Sequence, residues 1–493
     1  MLKKEAILKI SRLVSLLFVI SFGFITIVAT GGGGGGGSDS DPLPVDNFAG
    51  TYEGEFSGDD YGTFTVEVSD NGDITGSAYS TKYSDTEYVT GSIDESGDFS
   101  LSGESNDGAT FEGRIASNEV SGTWENSYYN QSGSFSGDKI NGGNIRIGVA
   151  APYTGILAAY GDNIKAGVNL KLKEINGAGG INGQKVELVW GDDLCAPKDA
   201  GTVGSKFAAD KTIVAVVGHL CSSATLAAMP IYVRSGLPCI SPTSTNPTIG
   251  DVGKGWFFRN CYTDDFQGKY LASYVVPKLL GKNKVAIFYE NNDYAIGLKN
   301  SFVAGAKAGG VTVTGAEAYV AKTTDFTPQL TKLLKDKPDT IFLCGYHPEG
   351  ALIAGQSRKL GFNGPLFGAD GIDNVDYIKI GGKAADNTYC TVPFFAASAG
   401  PAGQAFAENF KKAEGYDVDW MSANAYDCLG ILAQVIEKAG PDRKKIRDGL
   451  AALNSKENGY KGVTGLTYFD SKGDCSKPAF VKMVKDGQFV PAE

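Results

Sequence analysis

Between Phe48 and Lys139 the chain alternates. GTYEGEF, GTFTVEVSDNGDITGSAYS, EYVTGSIDESGDFSLSG, ATFEGRIASNEVSGTWE and SGSFSG set aromatic or β-branched residues against small or polar ones. A period of two puts one set of side chains on the buried face of a strand. Turn signals such as Asn71-Gly72 and Ser96-Gly97 break the pattern at short intervals. The pattern predicts roughly six to eight short antiparallel strands in a small all-β barrel or sandwich. The repeated openings Gly50-Thr51-Tyr52, Gly62-Thr63-Phe64 and Gly122-Thr123-Trp124 mark degenerate hairpin repeats.

From Asn144 onward the pattern becomes strand, helix, strand, helix. IRIGVAA (145–151) is a short apolar strand, and YGDNIKAGVNLKLKEING (160–177) carries apolar residues at helical spacing and ends in glycine. KVELVWGDD (185–193), TIVAVVG (212–218), LPCISP (237–242), KVAIFYE (284–290), VTVTGAEAY (311–319) and DTIFLCGY (339–346) are further strands. This succession predicts parallel sheets covered by helices. A stretch of about 350 residues exceeds one such core, so two α/β lobes are expected.

The chain start has a different texture. Lys3, Lys4, Lys9 and Arg12 precede the apolar run LVSLLFVISFGFITIVA (13–29), the layout of an export signal over residues 1–30, with a retained membrane anchor as the alternative. The mature protein is then expected in the periplasm or at the cell surface. GGGGGGGSDSDPLPVD (31–46) is too polar and flexible to pack and reads as a linker. The expected domains are therefore 47–140, all-β, and 144–493, α/β. With 56 Asp and Glu against 45 Lys and Arg, the net charge of -11 argues against a nucleic-acid partner, which needs clustered basic residues. The eight cysteines are widely spaced without a CxxC, and His219 and His347 are the only histidines, so a metal site is not expected.

Three motifs invite chemistry. GAGGINGQK (177–185) has the glycines of a dinucleotide loop, but it follows a helix and precedes a strand, the reverse of the required order; it reads as a helix-ending turn. In AVVGHLCSSAT (215–225) a strand runs into His219, Leu220, Cys221, Ser222 and Ser223. A nucleophile there needs a base and a group to orient it, and the glycine-flanked elbow is absent, so His219 reads as structural and no catalytic residue is expected. The same junction suits a carboxylate, because a helix start offers unpaired N–H groups and a favourable dipole. A simple serine cap is the bland alternative. A second small-hydroxyl loop, SPTSTNPT (241–248), also follows a strand, and the two loops would bracket a crevice. GYHPEG (345–350) and GADGIDNV (368–375) end strands of the other lobe and offer Tyr346 and Asp370. A carboxylate facing hydroxyls suits a zwitterion, with the ammonium on Asp370 and the carboxylate on Ser222 and Thr245; an ordinary turn aspartate is the alternative.

DDLCAP, VVGHLCSSAT, SPTSTNP, DYAIGL, GYHPEG and GADG, in this order and at these separations, closely resemble the leucine/isoleucine/valine-binding proteins of bacterial branched-chain amino acid ABC transporters. The resemblance runs from about Asn144 to the C-terminus. It implies a type I periplasmic-binding-protein fold: two Rossmann-like lobes, about 144–262 with 394–459 and about 263–392 with 460–493, joined by three crossovers. These are expected near Tyr262–Asp265, Val392–Phe395 and Gly459–Val463. It implies a pocket of Leu220 and Ser222, Thr243 through its backbone, Thr245 through its hydroxyl, Tyr160 as a cover and Tyr346 from the second lobe. The ammonium partner falls on Asp370, where the typical family member has Glu, and an aromatic wall falls on Trp420 or Met421. It implies a Cys195–Cys221 disulfide; Cys239 and Cys261 are expected as a second bridge from strand proximity. The implied protein is not an enzyme, uses no cofactor, binds an aliphatic amino acid, and partners a membrane permease with its ATPase. The alternatives are an amide, urea or polar amino acid as ligand, or a sensing or adhesion module dominated by the β domain.

Overall fold

The computed structural model describes residues 48–492 apart from 70, 106–107, 117–118 and 141–143. The expected export segment 1–30 and glycine-rich linker 31–46 lie outside the described residues. The chain divides into two compact units, the first ending at Lys139 and the second beginning at Ile140. Among the described residues, no helix is long and apolar enough to cross a membrane.

In the first unit, strands β1 (Gly50–Gly58), β2 (Gly62–Val68), β3 (Asp73–Ser80), β4 (Asp85–Ile93), β5 (Asp98–Gly103), β6 (Thr110–Ala116), β7 (Glu119–Asn126) and β8 (Gln131–Ile140) close into a barrel. The sequence left barrel and sandwich open; the structure selects the barrel, whose closure removes every sheet edge. Alternation sends Phe64, Val66 and Val68 inward from β2, where they meet Phe99, Phe111, Phe135 and Val120. Gly113 and Gly122 face each other across β6 and β7, and a Cβ on Gly122 would stand 2.6 Å from the Phe135 ring. Small residues at those two points let the large rings fill the barrel.

The second unit holds two sheets. The first has the order β10 (Val186–Asp192), β9 (Ile145–Ala151), β11 (Ile213–Gly218), β12 (Cys239–Ser241), β13 (Phe257–Arg259), all parallel. The second runs β15 (Thr312–Tyr319), β14 (Lys284–Glu290), β16 (Thr340–Cys344), β17 (Leu366–Gly368), β18 (Thr388–Val392), all parallel, then β21 (Phe480–Lys485) and β22 (Gln488–Pro491), antiparallel. β11 and β16 are buried at every position, as strands covered by helices on both faces must be. Each fully buried Val, Ile or Phe contributes about 1.5–3 kcal/mol relative to exposure. In each sheet the order reverses beside the first strand, which opens a crevice at the carboxyl ends.

Gly459–Val463 does not cross between the lobes. It belongs to a two-stranded ribbon, β19 (Tyr460–Gly462) with β20 (Gly465–Thr467), tied to the first lobe. Asp427 accepts from the N–H groups of Val463 and Thr464 at 3.0 and 2.8 Å, and Phe469 packs on Phe258 with centroids 5.1 Å apart. Residues 460–475 thus pack on the first lobe, and the chain passes to the second just before β21. Cys239 and Cys261 are not bridged: both thiols are free, the first donating to the Gly218 carbonyl at 2.9 Å and the second to Ser244 at 3.7 Å. β12 and β13 are neighbours, but Cys239 faces Phe257 in register, four residues short of Cys261.

Candidate functional site

The carboxyl end of β11 delivers Leu220 and Cys221, and Ser222 opens the helix Ser222–Ser235. Cys221 is bridged to Cys195, their Cα atoms 5.4 Å apart, which pins this turn to the loop after β10. His219 is spent on structure: its ring nitrogens lie 2.7 Å from Asp193 Oδ2 and 2.9 Å from the Tyr232 hydroxyl, all within the core. The loop after β12 folds back, where Thr243 Oγ1 donates to the Leu220 carbonyl at 2.8 Å. From the second lobe, β16 leads to Tyr346 before the helix His347–Lys359, and β17 leads to Asp370 in a short 3-10 turn.

These ends surround a narrow cleft lined by Tyr160, Leu220, Ser222, Thr243, Tyr294, Tyr346, Asp370, Gly371, Trp420 and Met421. Of the residues the sequence pointed to, Thr245 alone is not on the lining. It is buried behind it, its Oγ1 without a hydrogen-bond partner in the protein. Trp420 and Met421, left as alternatives by the sequence, both line the cleft. Tyr294 and Gly371 were missed. DYAIGL carries Tyr294 at the start of the helix Asp293–Gly309, but nothing in that spacing reveals that its ring stacks on Tyr346 at 5.3 Å.

Tyr294 Oη donates to Asp370 Oδ1 at 2.7 Å and accepts from the Gly371 N–H at 3.1 Å. Asp370 Oδ2 is buried without a partner. Burial pushes the Asp370 carboxyl up to about 7, against the opposing hydrogen bond from Tyr294. Asp264, beside it on the first crossover, is also fully buried, and both burial and the Asp370 charge raise it well above the usual carboxylate range. A cation brought here would relieve a real electrostatic cost.

Hydrogen bonds cross between the lobes. Tyr160 Oη donates to the Gly371 carbonyl at 2.5 Å, Asn246 Nδ2 donates to the Asp293 carbonyl at 2.7 Å, and the Asp293 N–H donates to Ser223 Oγ at 3.1 Å. The lobes are therefore clasped around this cleft. A larger groove at the crossovers is lined by Tyr262, Phe266, Tyr468, Asp474 and Lys477 among others. Its charges are already engaged, Asp474 by Arg259 and Lys477 by Thr464 and Thr467. The smaller cleft is the candidate site. Among the described residues, no group of three or more His, Cys, Asp or Glu side chains could hold a metal ion.

The family profile described as periplasmic binding protein matches residues 144–488, most of the second unit. The chain belongs to that family. Among relatives of this binding protein, the leucine-, isoleucine-, valine-, threonine-, and alanine-binding protein of Pseudomonas aeruginosa is 32% identical over 331 residues, 67% of this chain and 87% of the relative. The Leu/Ile/Val-binding protein BraC3 of Rhizobium johnstonii is 33% identical, over 71% of this chain and 94% of its own. Among solved structures, the leucine-binding protein LivK of Thermotoga maritima is 30% identical with a TM-score of 0.67, covering 70% of this chain and 97% of its own. The branched-chain amino acid substrate-binding protein LivJ of Streptococcus pneumoniae, solved with isoleucine, is 31% identical with a TM-score of 0.66, covering 70% and 97%. These matches fall on the α/β unit, and its two lobes are those of the type I periplasmic-binding-protein fold.

Proposed function

We propose that the protein captures an aliphatic L-amino acid, of the leucine, isoleucine or valine kind, in the cleft between its two Rossmann-like lobes. One observation carries this reading: a buried carboxylate with one oxygen unpartnered, Asp370, faces a cleft whose opposite wall holds Ser222 at a helix start. That arrangement matches the two charges of an α-amino acid, ammonium on Asp370 and carboxylate at the helix N-terminus near Ser222 and Thr245. Leu220, Met421, Trp420 and the tyrosine rings leave an apolar space for the side chain. Relatives named for branched-chain amino acids and a structural neighbour solved with isoleucine support the same class.

Closure excludes water, which strengthens the charged hydrogen bonds and buries the side chain. The clasped form is then presented to a membrane permease with its ATPase, outside the cytoplasm, and the protein acts without chemistry of its own. Calorimetric titration with leucine, isoleucine and valine, beside glutamate and acetamide, tests the proposal. Heat with the aliphatic amino acids is expected. Heat with amides or glutamate alone would replace this ligand class with a polar one.

A further inference from the structure

We propose that Trp420 is a specificity-determining donor of the cleft, favouring short amino acids whose side chain carries a hydrogen-bond acceptor, such as the threonine hydroxyl, over their purely aliphatic isosteres. The inference rests on the amino-acid reading of the cleft and adds a side-chain class to it.

Four of the other polar side chains of the lining are hydrogen-bonded within the protein. Ser222 Oγ accepts from the Asn246 N–H at 3.2 Å, Thr243 Oγ1 donates to Leu220 at 2.8 Å, and Tyr160 and Tyr294 donate to Gly371 and Asp370. Two buried side-chain atoms of lining residues have no hydrogen-bond partner: Asp370 Oδ2, an acceptor, and Trp420 Nε1, a donor. The acceptor serves an ammonium. The donor cannot, because an ammonium offers nothing to accept with. A buried indole N–H ordinarily finds a partner, and leaving one unmade costs about 1–3 kcal/mol.

Trp420 is held where it is. It is the first residue of the helix Trp420–Ala439, capped by Asp419, which accepts from the N–H groups of Met421 and Ser422 at 2.8 and 3.0 Å. At 2% exposure the ring has little room to turn toward solvent. In an open cleft, water can satisfy the indole; on closing over a wholly aliphatic side chain, that hydrogen bond is lost. A side-chain hydroxyl restores it. With the ligand carboxylate at the opposite helix start, the Trp420 donor falls to the side chain.

Valine and threonine differ by a methyl for a hydroxyl at nearly equal volume, so they isolate this one contact. Calorimetry of the full chain and of Trp420→Phe with both ligands is the test. The substitution is expected to shift the threonine-to-valine affinity ratio about fivefold or more against threonine, on top of any packing loss common to both ligands. An unchanged ratio, or equal loss for both, would overturn the inference while leaving the amino-acid reading intact. If the unaltered protein binds neither ligand nor leucine, that reading itself fails. Should Trp420→Phe not fold, the wild-type protein labelled with ¹⁵N on its four tryptophans decides. Threonine should shift one indole N–H signal downfield where valine does not, and identical spectra would overturn the inference.

Discussion

Tyr294 and Asp370 lie 76 residues apart in sequence, and the tyrosine hydroxyl donates to the aspartate at 2.7 Å while accepting from the adjacent Gly371 N–H. This bond fixes one carboxylate oxygen and leaves the other for a ligand. Asp370→Ala should therefore weaken leucine binding far more than Tyr294→Phe. Removing the buried partner of an ammonium costs about 3 kcal/mol or more, over a hundredfold in affinity, whereas losing one hydroxyl costs about 1–2 kcal/mol. Titration calorimetry of both variants checks the order; near-equal effects would show that Asp370 does not meet the ammonium.

Binding should depend on pH through the same carboxylate. Burial raises Asp370 to about 7, so below that the ligand-free protein holds a proton that the ammonium must displace. Leucine affinity is expected to rise from pH 5.5 to pH 8, and Asp370→Asn should flatten the rise.

The unliganded protein should show the opposite trend at this group. Between the ordinary carboxylate range and about pH 7 the folded state binds more protons than the unfolded one, so Asp370 makes stability fall as pH rises through that window. Glu290, also raised to about 7 by burial, acts in the same direction, while His347, held down to about 4, opposes it below its ordinary range. The difference in melting temperature between wild type and Asp370→Asn, followed from pH 5 to 8, isolates the Asp370 contribution.

The clasp between lobes gives a prediction away from the ligand. Asn246→Ala removes the 2.7 Å bond to the Asp293 carbonyl and should weaken binding by roughly two- to tenfold. Small-angle scattering at saturating leucine should still show the compact form, since other cross-lobe bonds remain.

The Cys195–Cys221 bridge closes a separation of 26 residues, worth about 3 kcal/mol on a chain-entropy account. Replacing both cysteines by serine should lower the melting temperature by several degrees. It should also loosen the turn that presents Ser222, so leucine affinity should fall with stability; unchanged affinity would separate the staple from the site.

Much of this was legible along the chain. The strands 145–151, 213–218 and 284–290 formed where continuous apolar runs required burial on both faces, and the alternating residues after Phe48 formed antiparallel strands. Ser222, Tyr346 and Asp370 were visible as loop residues following strands, because a parallel sheet places its carboxyl ends together, while Leu220 and Thr243 came only from the family resemblance. The ribbon at 460–467 was not, since short polar strands carry little periodicity and its attachment through Asp427 and Phe469 is set by distant partners.

Sequence by itself determined the local elements, the change from period two to strand and helix at Asn144, and the residue types at the strand ends, because these depend on near neighbours. Tertiary structure decided closure of the barrel, the place of the third crossing, the free state of Cys239 and Cys261, and which polar atoms stay unpaired in the cleft. Those outcomes rest on contacts between segments tens to hundreds of residues apart. The stacking of Tyr294 on Tyr346 exists only once β14 and β16 lie side by side in the second sheet.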